Sequence, residues 1–245
     1  MSNWEGIYSR FSDIPCETKT YNEKEIAENS SYFVNGLVKD KDHFFVETKD
    51  RSLLNFFVSF HSAKNSSICI LDFGGGAGTD YIVLRKNLPF KYDISYHVVE
   101  NPEMVKCGSK IFEDDKSIRF YNSFPENNLN PDLVYSCATF SYIEDYKEII
   151  KKLSYYKAPF ILFAKTSLVK SKTYVTSQNN VLGYNIPYLF INENEFIKSV
   201  EKCGYKLVLK FKSDREYDQS NFDPEFRMGK TTDLMFTLTQ ENNND

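Results

Sequence analysis

The chain has 245 residues, 34 acidic and 30 basic side chains, and a formal net charge of −4 at neutral pH. That length suits one α/β domain able to bury ~70–75% of its unfolded surface. With only six Arg among the 30 basic residues, the chain lacks the electrostatic footprint of a nucleic-acid binder.

No stretch approaches ~20 consecutive apolar residues, so no membrane span is expected. The N-terminus also lacks the basic-then-apolar layout of a leader, which points to a cytoplasmic protein. The five Cys (Cys16, Cys69, Cys107, Cys137, Cys203) form no CxxC pair, as befits reduced thiols. No metal-ligand spacing and no Ser-His-Asp or Cys-His arrangement is visible.

Residues 1–66 read as an N-terminal helical extension. Trp4 to Phe11 is aromatic and irregular and runs up to Pro15. Helical spacing then predicts a helix over 22–38 and another starting near Thr48 or Asp50, with Leu53, Leu54, Phe57, Val58 and His61 on one stripe.

The chain is organised around residues 68–82. Ile68 to Leu71 is an apolar run suited to a strand covered on both faces. Asp72 closes it, Gly74, Gly75, Gly76 and Gly78 follow, and apolar residues resume at Tyr81, Ile82 and Leu84. This is strand, glycine turn, helix. Glycines accept positive φ and let a ligand lie against the backbone. The dinucleotide pattern G-x-G-x-x-G begun at Gly74 would need Gly at 79, where Thr79 stands. The pattern present is Asp72-x-Gly74-x-Gly76-x-Gly78.

Residues 94–100 form a second β-rich run that ends in Glu100, 22 residues after Gly78 (100 − 78). A carboxylate ~20 residues beyond such a turn accepts hydrogen bonds from ribose hydroxyls in nucleotide-binding α/β folds. Asn101-Pro102 stops the strand and starts a helix.

The predicted order continues with a helix over 102–112, strands over 118–121 and 131–137, a turn at 139–143, a helix over 144–153 and a buried strand over 159–165. A polar loop carrying Thr166, Ser167, Gln178 and Asn179 leads to Ile186-Pro187-Tyr188. A helix over 193–202 ends at Gly204 in the C′ position. Strands over 205–211 and 232–238 follow, separated by a charged insertion over 213–230. A parallel pair would need a helical crossover there, so the last two strands should be antiparallel. Residues 240–245 form a polar tail expected to be disordered.

The glycine pattern resembles the first motif of S-adenosylmethionine-dependent methyltransferases. The element order matches their α/β fold, a Rossmann-like seven-stranded mixed sheet (the class I methyltransferase fold) spanning 67–239. More specifically, the chain resembles a family of such methyltransferases found among bacterial surface-polysaccharide (capsule, O-antigen) biosynthesis genes. The resemblance is carried by Trp4-x-Gly6-x-Tyr8-Ser9-x-Phe11, by Leu71-Asp72-Phe73-Gly74-Gly75 and by His97-Val98-Val99-Glu100-Asn101-Pro102. More loosely, it extends to residues 136–143 and 178–187.

It implies S-adenosylmethionine as cofactor and O-methylation of a sugar or phosphate-bearing precursor. A non-catalytic cofactor-binding subunit of a glycan-assembly complex is the alternative. A nucleic-acid methyltransferase is disfavoured by the acidity, and a small-molecule dehydrogenase by the glycine spacing. In this reading Gly74, Gly76 and Gly78 hold the methionyl part, Asp72 orients it, and Glu100 binds the ribose. Asn122 and Ser123 meet the adenine edge, and Ser136 puts backbone atoms under the methionyl group.

On the acceptor side the catalytic candidates are His43 and Tyr142, with Gln178 as a substrate-binding residue. His97 and His61 read as core residues. Residues 1–15 are expected to cover the acceptor site, with plain packing or a contact in a homodimer as the competing uses. The expected partners are a small-molecule or glycan-precursor substrate and a second copy of the chain.

Overall fold

A computed structural model describes residues 4–15, 23–40, 52–126, 128–179 and 185–239 of the chain. The strands are β1 (Trp4–Tyr8), β2 (Ser67–Phe73), β3 (Asp93–Val99), β4 (Ile118–Tyr121), β5 (Leu133–Cys137), β6 (Phe160–Thr166), β7 (Leu168–Val169), β8 (Tyr174–Asn179), β9 (Asn185–Asn192), β10 (Tyr205–Glu216) and β11 (Lys230–Leu238). The helices are α1 (Glu23–Lys39), α2 (Ser52–Ser62), α3 (Thr79–Asn87), α4 (Pro102–Ile111), α5 (Tyr146–Ser154) and α6 (Glu193–Glu201).

Seven strands form a mixed sheet in the order β10-β11-β6-β5-β2-β3-β4. The expected class is the observed one: parallel strands at one end, and an antiparallel pair at the other where no crossover helix intervenes. A second sheet of four strands has the order β1-β8-β9-β7.

The described residues fall into two compact units, Asn22–Ser136 and the combination of Met1–Tyr21 with Cys137–Asp245. This division does not coincide with a boundary at residue 66. The stretch before β2 is shared out, α1 and α2 to the first unit and β1 to the second.

In the unit Asn22–Ser136, β2 pairs in parallel with β3 and β5, and β3 with β4. Burial of both sheet faces explains the uninterrupted apolar runs: Ile68, Ile70, Leu71, Ile94, Tyr96 and Val98 are all 1% exposed or less. Tyr81 on α3 packs tilted against Tyr96 and edge-on against Phe112, with centroids 5.4 and 5.5 Å apart, and donates its hydroxyl to Asp115. Helix α4 starts where the sequence places it, with Pro102 in the first turn and the Asn101 side chain accepting from the Met104 N–H at 3.0 Å.

In the other unit, β11 runs antiparallel to both β6 and β10. Leu234 lies opposite Phe163 and Thr232 opposite Thr166, so Ala164 and Lys165 together face the single residue Asp233. That is a β-bulge. Strand β10 is the outer strand of this sheet.

Three expectations are corrected here. Residues 4–8 are not irregular: they form β1, which pairs antiparallel with β8, Trp4 opposite Gln178. The polar loop before Tyr188 is instead β7, β8 and the start of β9. Its polar side chains are spent inside the sheet; Thr176 Oγ1, for example, donates to the Glu5 carbonyl at 3.1 Å. The charged insertion is shorter than expected, because β10 continues to Glu216 and β11 begins at Lys230. Between them Phe222 and Met228 are buried in a cluster with Trp4, Tyr174, Tyr188 and Phe190.

Trp4 itself meets Tyr188, Phe190 and Tyr217 edge-on at 4.7 to 5.2 Å. Trp4 is thus absorbed by a packed core, while Tyr8 and Phe11 are half-buried. Residues 240–245 lie outside the described residues.

Candidate functional site

In the unit Asn22–Ser136, the glycine turn joins the end of β2 to α3. Gly74, Gly76 and Gly78 have φ of 76°, 59° and 90°, the left-handed region where side chains are strained. At Gly78 a Cβ would also fall 2.7 Å from the Phe112 ring. The intervening Gly75 leaves the space that the Asp72 carboxylate fills: a Cβ at 75 would land on it. Asp72 is fully buried and accepts from the Tyr96 hydroxyl at 2.7 Å. As placed, Asp72 shapes the turn from beneath.

Two main-chain bonds align the strand ends: Gly74 N–H to the Val99 carbonyl, and Glu100 N–H to the Tyr121 carbonyl, both at 2.9 Å. They bring Asp72, Gly74, Glu100 and Asn122 into a row along the carboxyl edge of β2, β3 and β4. Glu100 Oε1 accepts from the Gly76 N–H at 3.2 Å, and its Oε2 from the Asn101 N–H at 2.8 Å. The carboxylate therefore stands directly beside the glycine turn. The parallel register places Ser136 at the end of β5, where its hydroxyl donates to the Phe73 carbonyl at 2.8 Å. The Ser136 side chain is thus used as a tie between strands.

Asn122 and Ser123 are exposed just beyond β4. Next to them Phe124 stacks on Phe73 with the rings 7° from parallel and 5.6 Å apart. The sequence reading missed this ring pair. The signal was there, an aromatic beside each of the two candidate stretches. Helix α1 passes over the turn, with Ser30 Oγ 3.6 Å from the Cβ position of Gly76.

His97 is a core residue, as expected. It is 4% exposed, bridges Ser95 Oγ and the Tyr121 hydroxyl at 2.8 and 3.0 Å, and burial, with the Arg119 charge, pushes its pKa down to about 4. His61 meets the Tyr92 hydroxyl at 3.0 Å. His43 lies outside the described residues.

In the other unit, two acceptor-side candidates that are 36 residues apart in sequence come together: the Tyr142 hydroxyl donates to Gln178 Oε1 at 3.1 Å. Tyr142 sits in a short 3-10 turn after β5 and is 45% exposed, so it can meet a solute. Its ring packs edge-on against Tyr188 at 5.1 Å. Behind it runs a chain of hydroxyls, Ser167 to Tyr188 at 2.7 Å and Tyr188 to Tyr217 at 3.3 Å. Burial first, and the neighbouring Tyr188 next, hold the Tyr217 phenol far above its ordinary pKa.

Sequence reasoning did not find this chain. Pro187 reads as a loop residue, yet it sits inside β9 opposite Ser177. It is tolerated because β7 pairs only with Ile191 and Asn192, leaving the Pro187 side of β9 open.

The residues around the glycine turn fit an adenosyl cofactor. Three left-handed glycines leave alternate positions of the turn without a Cβ, a carboxylate stands beside it, and exposed polar residues flank an aromatic pair. No protein-family model and no curated protein matches the chain. Solved structures do match.

A S-adenosylmethionine-dependent methyltransferase from Clostridium acetobutylicum aligns over 88% of this chain and 100% of its own, with TM-score 0.53 and 12% identity. The 1,6-didemethyltoxoflavin-N1-methyltransferase of Burkholderia thailandensis, solved with its substrate and S-adenosylhomocysteine, aligns over 92% and 94%, with TM-score 0.51 and 14% identity. The [4+2]-cyclase SpnF aligns over 89% and 97%, with TM-score 0.54 and 9% identity. At such identities the likeness is one of fold, and the cyclase shows that this fold also carries other chemistry. The chain has the class I methyltransferase fold.

Proposed function

We propose that the protein is a S-adenosylmethionine-dependent methyltransferase that acts on an oxygen of a sugar or phosphate-bearing precursor in bacterial surface-polysaccharide assembly. One observation carries the reading: the Glu100 carboxylate meets the Gly76 N–H of a turn whose alternate glycines are all left-handed. This supports ribose recognition at Glu100 and close approach of the methionyl part to the turn. When bound, the cofactor supplies a methyl group already activated on a sulfonium.

The chain's own task is then to align an acceptor and exclude water. Asp72 keeps the turn in shape, the Ser136 main chain lies at the adjoining strand end, and Asn122 and Ser123 meet the adenine edge. Helix α1 shields the turn. Tyr142 and Gln178 orient the acceptor, and Tyr142 or His43 takes its proton. The four described Cys are free thiols, which fits a cytoplasmic setting. The surface-polysaccharide context rests on the sequence resemblance alone, and the expected homodimer on the aromatic residues of the first fifteen positions.

A non-catalytic cofactor-binding subunit is the second reading, since the glycine turn and Glu100 speak for cofactor binding and not for turnover. Calorimetry with S-adenosylmethionine, S-adenosylhomocysteine and NAD tests the first step. The methionine nucleosides should bind with micromolar affinity, about −8 kcal/mol, and NAD should not. Binding of NAD alone would overturn the proposal. Screening cell-envelope precursors with a labelled methyl donor separates enzyme from subunit: label in a precursor supports the enzyme.

A further inference from the structure

The two outer strands of the seven-stranded sheet differ in length and exposure. β4 at one end has four residues, Ile118–Tyr121. β10 at the other has twelve, Tyr205–Glu216, and β11 is its one neighbour in the sheet. Every other residue of such a strand turns its N–H and C=O away from the sheet, where a further strand can pair.

Tyr205 is buried, Leu207 and Ser213 are half-buried, and the other residues of β10 are exposed. The exposed set includes Val208, Leu209 and Phe211, at 50%, 40% and 40%. Pairing with β11 is regular from Leu209 to Lys212, between two shifts of register. Leu209 and Phe211 therefore share one face, which puts apolar side chains at the open edge of the sheet.

Lysines on an outer strand ordinarily guard it, because they repel a second strand. On β10 that guard is one-sided. The first eight residues hold Lys206, Lys210 and Lys212 and no carboxylate; the last four hold Asp214 and Glu216 around Arg215. A second copy approaching in parallel sets lysines against lysines. Turned end for end, it sets them against carboxylates. Whether a two-fold axis falls at Lys210, Phe211, Lys212 or Ser213, at least one lysine of each copy stands opposite Asp214 or Glu216 of the other. The side chains of Lys206, Asp214 and Glu216 make no hydrogen bond or ion pair among the described residues.

We propose that β10 is an interface between two copies of the chain, which pair antiparallel through it about a two-fold axis and so join their seven-stranded sheets. The interface uses β10 and not residues 1–15, and it does not depend on the methyltransferase reading.

Sedimentation velocity of the full chain over a micromolar concentration series reads the association directly. The wild type should form a dimer, and added salt should weaken it by screening the exposed charges. An acidic variant, Lys206→Glu with Lys210→Glu, and a basic variant, Asp214→Lys with Glu216→Lys, each give both halves of the strand one net sign. Each should weaken the dimer roughly tenfold. Mixing the two variants should restore dimers containing one copy of each, because attraction returns at both ends of the strand pair. A wild type that stays monomeric throughout overturns the proposal. So does a dimer that neither variant weakens, or a mixture no more dimeric than its components. Lys210 also meets Glu193 at 2.7 Å. Should the acidic variant not fold, Lys206→Glu with Lys210→Gln, which leaves a neutral donor near Glu193, carries the same comparison.

Discussion

The unit Asn22–Ser136 and the unit that joins the chain's two ends solve different problems with different material. The first is built from one continuous stretch, and its candidate site is made largely of backbone: left-handed glycines, aligned strand ends and one carboxylate. The second gathers side chains from far apart in sequence, with Trp4, Tyr142, Gln178, Tyr188 and Tyr217 meeting through ring and hydroxyl contacts. A site made of backbone is constrained by residue spacing. A site made of side chains is constrained by packing, so its composition can drift while the fold stays.

That contrast can be broken most sharply at Trp4. A covering role for residues 1–15 requires lost turnover with stability intact. Burial of Trp4 at 4% exposure requires the reverse, with Trp4→Ala costing about 3–5 kcal/mol in urea unfolding and cofactor affinity unchanged. A variant as stable as wild type would restore the covering role.

The next effect belongs to the continuous unit. His97 is held neutral, its pKa lowered from 6.5 to about 4 by burial and by Arg119. The unfolded chain therefore takes up a proton that the folded one refuses. This contribution to stability is complete above pH 6.5 and is lost as the pH falls toward about 4. Its full size is on the order of 3 kcal/mol. Denaturant midpoints of wild type and His97→Gln across that range should converge at acid pH, and parallel curves would exclude His97 as the cause.

Smaller still, Glu100→Ala removes the acceptor beside the turn. It should cost about 1.5–3 kcal/mol of S-adenosylhomocysteine affinity with little change in folding stability. Wild-type binding by this variant would dissociate the carboxylate from the ribose.

How much of this was legible in the sequence follows the same division. Asp72, the glycines and Glu100 could be read because a sharp turn admits few residues and a parallel strand fixes the distance to the next strand end. The parallel strands and their helices came with them, since both sheet faces are covered and the apolar runs are unbroken. The second sheet was hidden. Thr176 and Ser177 look like loop residues until β1 supplies a partner from the other end of the chain, and Pro187 masks β9. The bulge at Ala164 and Lys165 carried no local signal, because it forms opposite Asp233, 68 residues after Lys165.

The pairing of β1 with β8 also sets a schedule. On a ribosome adding about 5–20 residues per second, the unit Asn22–Ser136 has all its strands within reach once residue 136 has emerged. Trp4 must wait for Tyr188, Tyr217 and Met228, the last of them 224 residues behind it (228 − 4). For some ten to forty-five seconds the newborn chain displays an indole and an unpaired strand while Asn22–Ser136 is free to fold. Residues 4–8 are therefore among the last to settle, and a chaperone that protects this chain has its best hold on that strand.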